Sequence, residues 1–280
     1  MHRKTIHSLI LIACGMVFLP LMTKGQKGGY WEAGFNFGFL FAGRHTANFY
    51  NGTGENNINR ILGNFYFREH IVEELDHTYD TTDIELPENM HYKPTMSAGF
   101  QGSYYFNNGL AIFLQGTYTR LKTVDVFLLH YNDILFPTNT VERYAICPIV
   151  GVEERTLIDI GVHKGYPLNE VVEFFFETGF NFTNTLVKEH KIEIGKLRYS
   201  IKNTYKKNPY VPNTNYQTYD IRQGGIGWGT MFSLGFALHF SPKICVHVAG
   251  TGYYNTTKLP GYEEFTLHLN PTARLILKNL

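Results

Sequence analysis

Trp31-Glu32-Ala33-Gly34-Phe35-Asn36-Phe37-Gly38-Phe39-Leu40-Phe41 is the stretch that decides the fold. Its odd positions are Trp, Ala and four Phe, whereas Glu32, Gly34, Asn36 and Gly38 fall between them. Successive side chains of a β-strand point to opposite faces, so the segment reads as a strand with one greasy face and one polar face.

Seven further segments repeat the split. Tyr92, Met96, Ala98, Phe100, Tyr104 and Phe106 oppose Lys93, Thr95, Ser97, Gln101 and Ser103, and Leu110, Ile112, Leu114 and Tyr118 oppose Gln115, Thr117 and Thr119. Val150, Val152, Ile158, Ile160 and Val162 oppose Glu153, Arg155, Asp159 and His163, while Val172, Phe174, Phe176, Phe180 and Phe182 oppose Glu173, Glu177, Asn181 and Thr183. Trp228, Phe232, Leu234, Phe236 and Leu238 oppose Gly227, Gly229, Ser233 and Gly235. Ile244, Val246 and Val248 oppose Cys245 and His247, and Phe265, Leu267, Leu269, Leu275 and Leu277 oppose Glu264, His268, Asn270 and Arg274.

The connections alternate as well: Asn107-Asn108-Gly109, residues 165–169 and Ser241-Pro242-Lys243 are short, and the intervening ones are longer. Short turns on one side and long loops on the other suit a transmembrane barrel. The expected fold is all-β: an antiparallel transmembrane β-barrel of about eight strands, ten being possible, with periplasmic turns and extracellular loops. A soluble sandwich also alternates, but it gives no reason for charged residues to face away from a greasy face that recurs in all eight segments.

The chain opens with Met1-His2-Arg3-Lys4, continues through an apolar run at residues 9–22 and reaches Thr23-Lys24-Gly25. That order is expected of a signal peptide over residues 1–25, leaving residues 26–280 as one barrel domain. Leu11-Ile12-Ala13-Cys14 matches a lipoprotein box, but the apolar run continues past the cysteine. Loss of Arg3, Lys4 and Lys24, with no acid, turns a net charge of +1 into −2, which argues against nucleic acid as a partner. Cys147 and Cys245 are expected near opposite ends of the barrel, too far apart for a disulfide.

The signal peptide, the eight alternating segments and the short periplasmic turns resemble the OmpA and OmpX class of small outer-membrane barrels. More narrowly, the chain resembles the outer-membrane β-barrel domain proteins of Bacteroidota, which include PorT-like components of secretion. The ending Leu275-Ile276-Leu277-Lys278-Asn279-Leu280 departs from the common outer-membrane ending in having no terminal Phe or Trp. The resemblance implies a cell outer-membrane location and outer-membrane lipid as surroundings, and leaves the oligomeric state open.

The interior of an eight-stranded barrel is only wide enough for its own side chains. The inward list predicts a lumen charge network of Glu32, Lys93, Glu153, Arg155, Asp159, Glu173, Glu177, Glu264 and Arg274, with His163, His239, His247 and His268 beside it. Pairing is expected there, because an isolated charge in a confined apolar surround is costly. The glycines of the sixth segment are expected to make room for the long Glu and Arg side chains opposite. His239, Cys245 and His247 are zinc-type ligands brought to one face, but a structural site needs a fourth, so no metal or other cofactor is expected.

Function is therefore expected on the loops. Residues 44–91 carry nine acids, among them Asp76, Asp80 and Asp83, whereas residues 187–226 are rich in bases, among them Lys202, Lys206 and Lys207. Their opposite charges suggest a lid across the mouth. Asp76, Asp80 and Asp83 lack the glycine and terminal glutamate of an ordered calcium loop. Alternation in Lys191-Ile192-Glu193-Ile194, in Leu197-Arg198-Tyr199-Ser200-Ile201 and around residues 64–67 predicts strands that project beyond the membrane, with edges open to a protein partner. The leading expectation is a non-enzymatic barrel with a plugged, charged lumen, serving surface interaction or an envelope assembly. The alternatives are a narrow channel for water, protons or small ions, and a lipid-modifying enzyme. For the last, His239-Phe240-Ser241 resembles the His-x-Ser of lipid A deacylases but falls at a periplasmic turn.

Overall fold

A computed structural model describes residues 29–106, 109–132, 143–202 and 223–278. The signal-peptide reading lies outside them. Within them are β1 (Tyr30–Leu40), β2 (Thr78–Glu85), β3 (Thr95–Tyr105), β4 (Leu110–Asn132), β5 (Tyr144–Pro167), β6 (Val172–Ile194), β7 (Leu197–Ser200), β8 (Gly224–His239), β9 (Ile244–Thr256) and β10 (Phe265–Lys278). Eight of these form a closed antiparallel ring in the order β1-β3-β4-β5-β6-β8-β9-β10, sealed where β10 pairs back onto β1. Closure satisfies every strand edge, which a wall in hydrocarbon requires.

The alternation sets the faces as expected. Phe35, Phe37, Phe100, Phe180, Phe232 and Leu267 are exposed on the outer surface, while Asn36, Gln101, Asn181, Ser233 and His268 are buried inside. At one rim Trp31 lies against Tyr104, which in turn meets Phe106 edge-on; toward the other, Trp228 and Tyr254 both pack on Phe265. An apolar belt between two aromatic girdles is the surface of a membrane-spanning barrel. The start of β1, the end of β10 and the three short turns share the first rim, which is the periplasmic one. No helix among the described residues is long and apolar enough to cross a membrane; strands cross instead.

The strands differ greatly in length. β1 and β3 have 11 residues each, whereas β4, β5 and β6 have 23 to 24. Since about 9–11 residues cross a bilayer, the upper halves of these three strands stand outside it as a sheet. β2 pairs with the end of β4 and β7 with the end of β6, widening that sheet to five strands. Lys188 is an extra residue where the β5–β6 register shifts between Val152 and Glu153, a bulge that bends the sheet as it leaves the ring.

Residues between β1 and β2 lie against the inner face of this sheet. They form α1 (Arg44–Ala47), a single 3-10 turn, α2 (Asn59–Leu62) and α3 (Phe65–Leu75). The strand expected around residues 64–67 is thus corrected to a helix start: Asn64 Oδ1 accepts from the Tyr66 N–H at 3.0 Å, and Asp76 ends the helix in a left-handed conformation with φ 57°. Phe67 and Ile71, four apart on α3, enter a core with Phe49, Ile58, Leu62, Phe127, Leu129, Ile149 and Ile192. The result is a packed cap over the extracellular mouth.

The glycines of β8 are also explained differently from the expectation. A Cβ on Gly235 would meet the Phe175 ring and one on Gly229 would meet Asn255. They let the β9 backbone approach at Tyr254 and Val248 and leave space for the Phe175 ring, not for Glu and Arg.

Candidate functional site

The polar groups of the lumen and the underside of the cap form one buried stack, and its layers follow from which strand each residue leaves. Nearest the periplasm, Lys278 Nζ lies 3.6 Å from Glu32 and 3.2 Å from His239 Nδ1, and His239 Nε2 is 3.4 Å from Glu173. Above them Arg274, fully buried, donates from Nη1 to both oxygens of Glu177 at 2.7 Å and to Gln101 at 3.1 Å. His163 reaches the same carboxylate at 3.1 Å, and its ring stacks on Phe175 and His247. The next layer centres on Asp159, which accepts from Asn181 at 2.6 Å and from Gln115 and Tyr253 at 3.2 Å. Asn255 joins Asn181 and Thr183 to that group.

The top layer joins barrel to cap. Arg155 Nε donates to Glu153 at 2.6 Å, and both side chains are buried. The Tyr50 hydroxyl donates to the other oxygen of Glu153 at 2.7 Å, the Tyr92 hydroxyl lies 3.0 Å from it, and Arg155 Nη2 donates to Thr46 at 3.1 Å. Hydrogen bonds from Arg155, Tyr50 and Tyr92 offset part of the cost of burying the carboxylate. Because Thr46 and Tyr50 belong to the cap, the cap is hydrogen-bonded directly to the barrel's ion pair.

A second polar contact fixes the cap higher up. His190, on the projecting part of β6, receives a bond from Asn56 on Nδ1 at 2.8 Å and reaches the Tyr50 carbonyl through Nε2 at 3.1 Å. Asn56 and Gln223 exchange amide bonds beside it. Burial pushes the His190 pKa down to about 3, the imidazolium being the form that loses hydration.

Seven of the nine expected lumen residues face inward: Glu32, Glu153, Arg155, Asp159, Glu173, Glu177 and Arg274. Lys93 and Glu264 do not, and both are corrected to the surface. Lys93 precedes Pro94, before β3 begins, and Glu264, 81 % exposed, precedes β10 and faces His45 at 3.7 Å. Alternation holds only within a strand. Tyr92, expected on the outer face, turns inward for the same reason. Lys278, Tyr50, Thr46 and Tyr253 were not singled out by sequence; Lys278 continues the inward parity of Arg274, whereas Tyr50 and Thr46 lie on helical turns that alternation does not detect.

His239 and Cys245 are paired across the β8–β9 hairpin as expected. His239 nevertheless binds Glu173 and Lys278, Cys245 packs with Phe175 and Ile276, and His247 stacks on Phe175. Cys147 lies in the cap core. On the acidic loop, Asp76 ends α3, Asp80 accepts from the Thr82 N–H and hydroxyl, and Asp83 faces His130 at 4.0 Å. Those Thr82 bonds lower the Asp80 pKa. Lys202 is half-buried just after β7, and Lys206 and Lys207 lie outside the described residues. The acidic and basic loops do meet, through Phe67 on Tyr199 at 4.9 Å and through the Lys196 N–H donating to Glu74 at 2.8 Å.

The closed ring, the belt, the girdles and the polar interior are those of a small outer-membrane β-barrel. No family model matches the chain, and no curated protein matches it. Seventeen chains of solved structures do. Neisserial surface protein A aligns over 91 % of this chain and 99 % of its own, with 9 % identity and a TM-score of 0.43. The attachment invasion locus protein Ail of Yersinia pestis, in complex with the heparin analogue sucrose octasulfate, covers 90 % and 99 % with 9 % identity and a TM-score of 0.35. The outer membrane protein OprG of Pseudomonas aeruginosa covers 91 % and 95 % with 10 % identity and a TM-score of 0.38.

Proposed function

We propose that the chain is a non-enzymatic outer-membrane barrel whose lumen is plugged and whose rigid extracellular cap is its working surface, in surface interaction or as a subunit of an envelope assembly. The observation that carries this reading is the continuity of the buried stack: Glu153 and Arg155 of the barrel are bonded to Thr46 and Tyr50 of the cap. A loop meant to open would not be hydrogen-bonded to a desolvated ion pair, since withdrawing Tyr50 and Thr46 leaves buried charged groups short of partners. A support whose task is to hold a surface in place gains from that tie. The narrower likeness to PorT-like barrels fits the assembly role.

Planar-bilayer recordings test the plugged lumen. The full-length mature protein is expected to give no conductance steps above the bare bilayer at either polarity. Stepwise conductance whose ion selectivity changes with Asp159→Asn, inside the lumen, would replace this reading with the narrow channel.

A further inference from the structure

The outer face of the projecting sheet carries a second apolar surface, separate from the lipid belt. On β4 and β5 the belt ends at Tyr118 and Thr156, which are register partners. A charged zone follows: Arg120 and Lys122 on β4, Glu154 on β5, and Lys188 and Glu189 on β6. It is held by exposed pairs, Arg120 with Glu189 at 3.9 Å and Lys188 with Glu154 at 3.5 Å. Beyond it the outward positions of β4 and β5 turn apolar again, while β6 and β7 beside them stay charged through Lys191, Glu193 and Arg198. Val126 is 43 % exposed, Tyr144 48 % and Ile146 64 %, with half-buried Val124, Leu128 and Pro148 between them. Ile146 lies ten residues above Thr156 along β5, about 33 Å at the usual rise, well outside hydrocarbon. Exposed apolar groups gathered on one sheet face in water mark a contact surface.

The direction of this face limits what covers it. It continues the lipid-facing side of the same strands, so its normal lies close to the membrane plane. Whatever covers it must stand beside the barrel and rise to the same height. We propose that the occupant is a second copy of this chain, related by a two-fold axis along the membrane normal that passes through the β4–β5 seam.

Charge complementarity supports that choice. Such an axis sets β4 of one copy against β5 of the other. By the β4–β5 register, Arg120 then faces Glu154 of the second copy, and Val126 and Leu128 face Pro148 and Ile146. One patch supplies both halves of the contact. The cis pairs in the charged zone exchange for trans pairs at little cost, because exposed pairs contribute about 0–1 kcal/mol. Two strands about 4.8 Å apart make a strip too narrow for a stable interface, for which about 800 Å² per partner is usual. The wall below, with Leu114 and Ile158, must therefore belong to the same contact, and the dimer forms in the membrane. This inference rests on the membrane orientation but not on the plugged lumen.

Oxidative cross-linking in intact cells tests it. The full-length chain carrying Ile146→Cys, close to the axis, is treated with copper phenanthroline beside a Phe65→Cys control, Phe65 being 81 % exposed on the cap. The expected result is a disulfide-linked species at twice the monomer mass, at least 10-fold more abundant for Ile146→Cys than for the control. Val126→Cys serves as a second reporter should Ile146→Cys not reach the outer membrane. Equal yields from cap and sheet, a cross-linked band of any other mass, or maleimide labelling of the introduced sheet thiol without dimer would overturn the proposal. A conducting but cross-linked protein would instead overturn only the plugged lumen.

Discussion

Arg274 gives one nitrogen to both oxygens of Glu177, in a layer that also holds His163 and Gln101. Removing the cation alone leaves a desolvated carboxylate, a change of about 3–5 kcal/mol, whereas replacing both partners by apolar groups is close to neutral. Arg274→Met is therefore expected to shift the urea unfolding transition by about that amount, and Arg274→Met with Glu177→Leu to restore most of it. Equal losses in single and double variants would refute the account. At this scale period-two reading located the charges well, because an inward parity in an eight-stranded ring leaves a side chain nowhere else to go. It failed at Lys93 and Glu264, each just beyond a strand end, where the backbone no longer alternates. It could not see the partners Tyr50 and Thr46, which reach Glu153 and Arg155 from helical turns.

The cap is where element-level reading lost most. Asn64-Phe65-Tyr66-Phe67 alternates over too short a window to separate strand from helix, and the deciding signals were the Asn64 cap and the spacing of Phe67 and Ile71. Phe67→Ala should leave a cavity in the cap core and cost about 3–5 kcal/mol. Proteolysis within residues 51–64 is expected to accelerate while the barrel keeps its heat-modifiable gel mobility; loss of that mobility would mean that cap and ring fold as one unit. His190 makes the same element sensitive to acid. Its folded pKa near 3 lies below the ordinary 6.5, so an opened cap takes up the proton first and closed-cap stability falls as pH drops from about 6.5 toward 3. The groups around it, Asn56, Gln223, Phe49 and the Tyr50 carbonyl, carry no charge to offset this. Amide exchange over residues 44–75, corrected for intrinsic rates, should show more frequent opening at pH 4.5 than at pH 7. His190→Gln should remove the difference.

For the whole molecule, the ring was legible and the height of its wall was not. Eight greasy faces imply closure, but the same alternation continues through β4, β5 and β6 past the membrane, so it counts strands without marking where lipid stops. The charged zone of Arg120, Lys122, Glu154 and Lys188 marks that limit on β4 to β6, and a charge scan of outward positions tests it. Leu234 lies near the middle of the belt on β8 and Ile146 lies above the charged zone on β5; both are outward and exposed. An arginine facing lipid at mid-depth costs about 2–4 kcal/mol, and close to nothing once water solvates it. Leu234→Arg is thus expected to lose that much stability against urea in bilayers of matched thickness, and Ile146→Arg, measured at a lipid excess that keeps the chain monomeric, less than about 1 kcal/mol. If the two substitutions cost the same, the belt would extend up the projecting sheet and the cap would lie at the membrane surface. If both were harmless, the wall would not face lipid at all, and the barrel would have to be read as a soluble one.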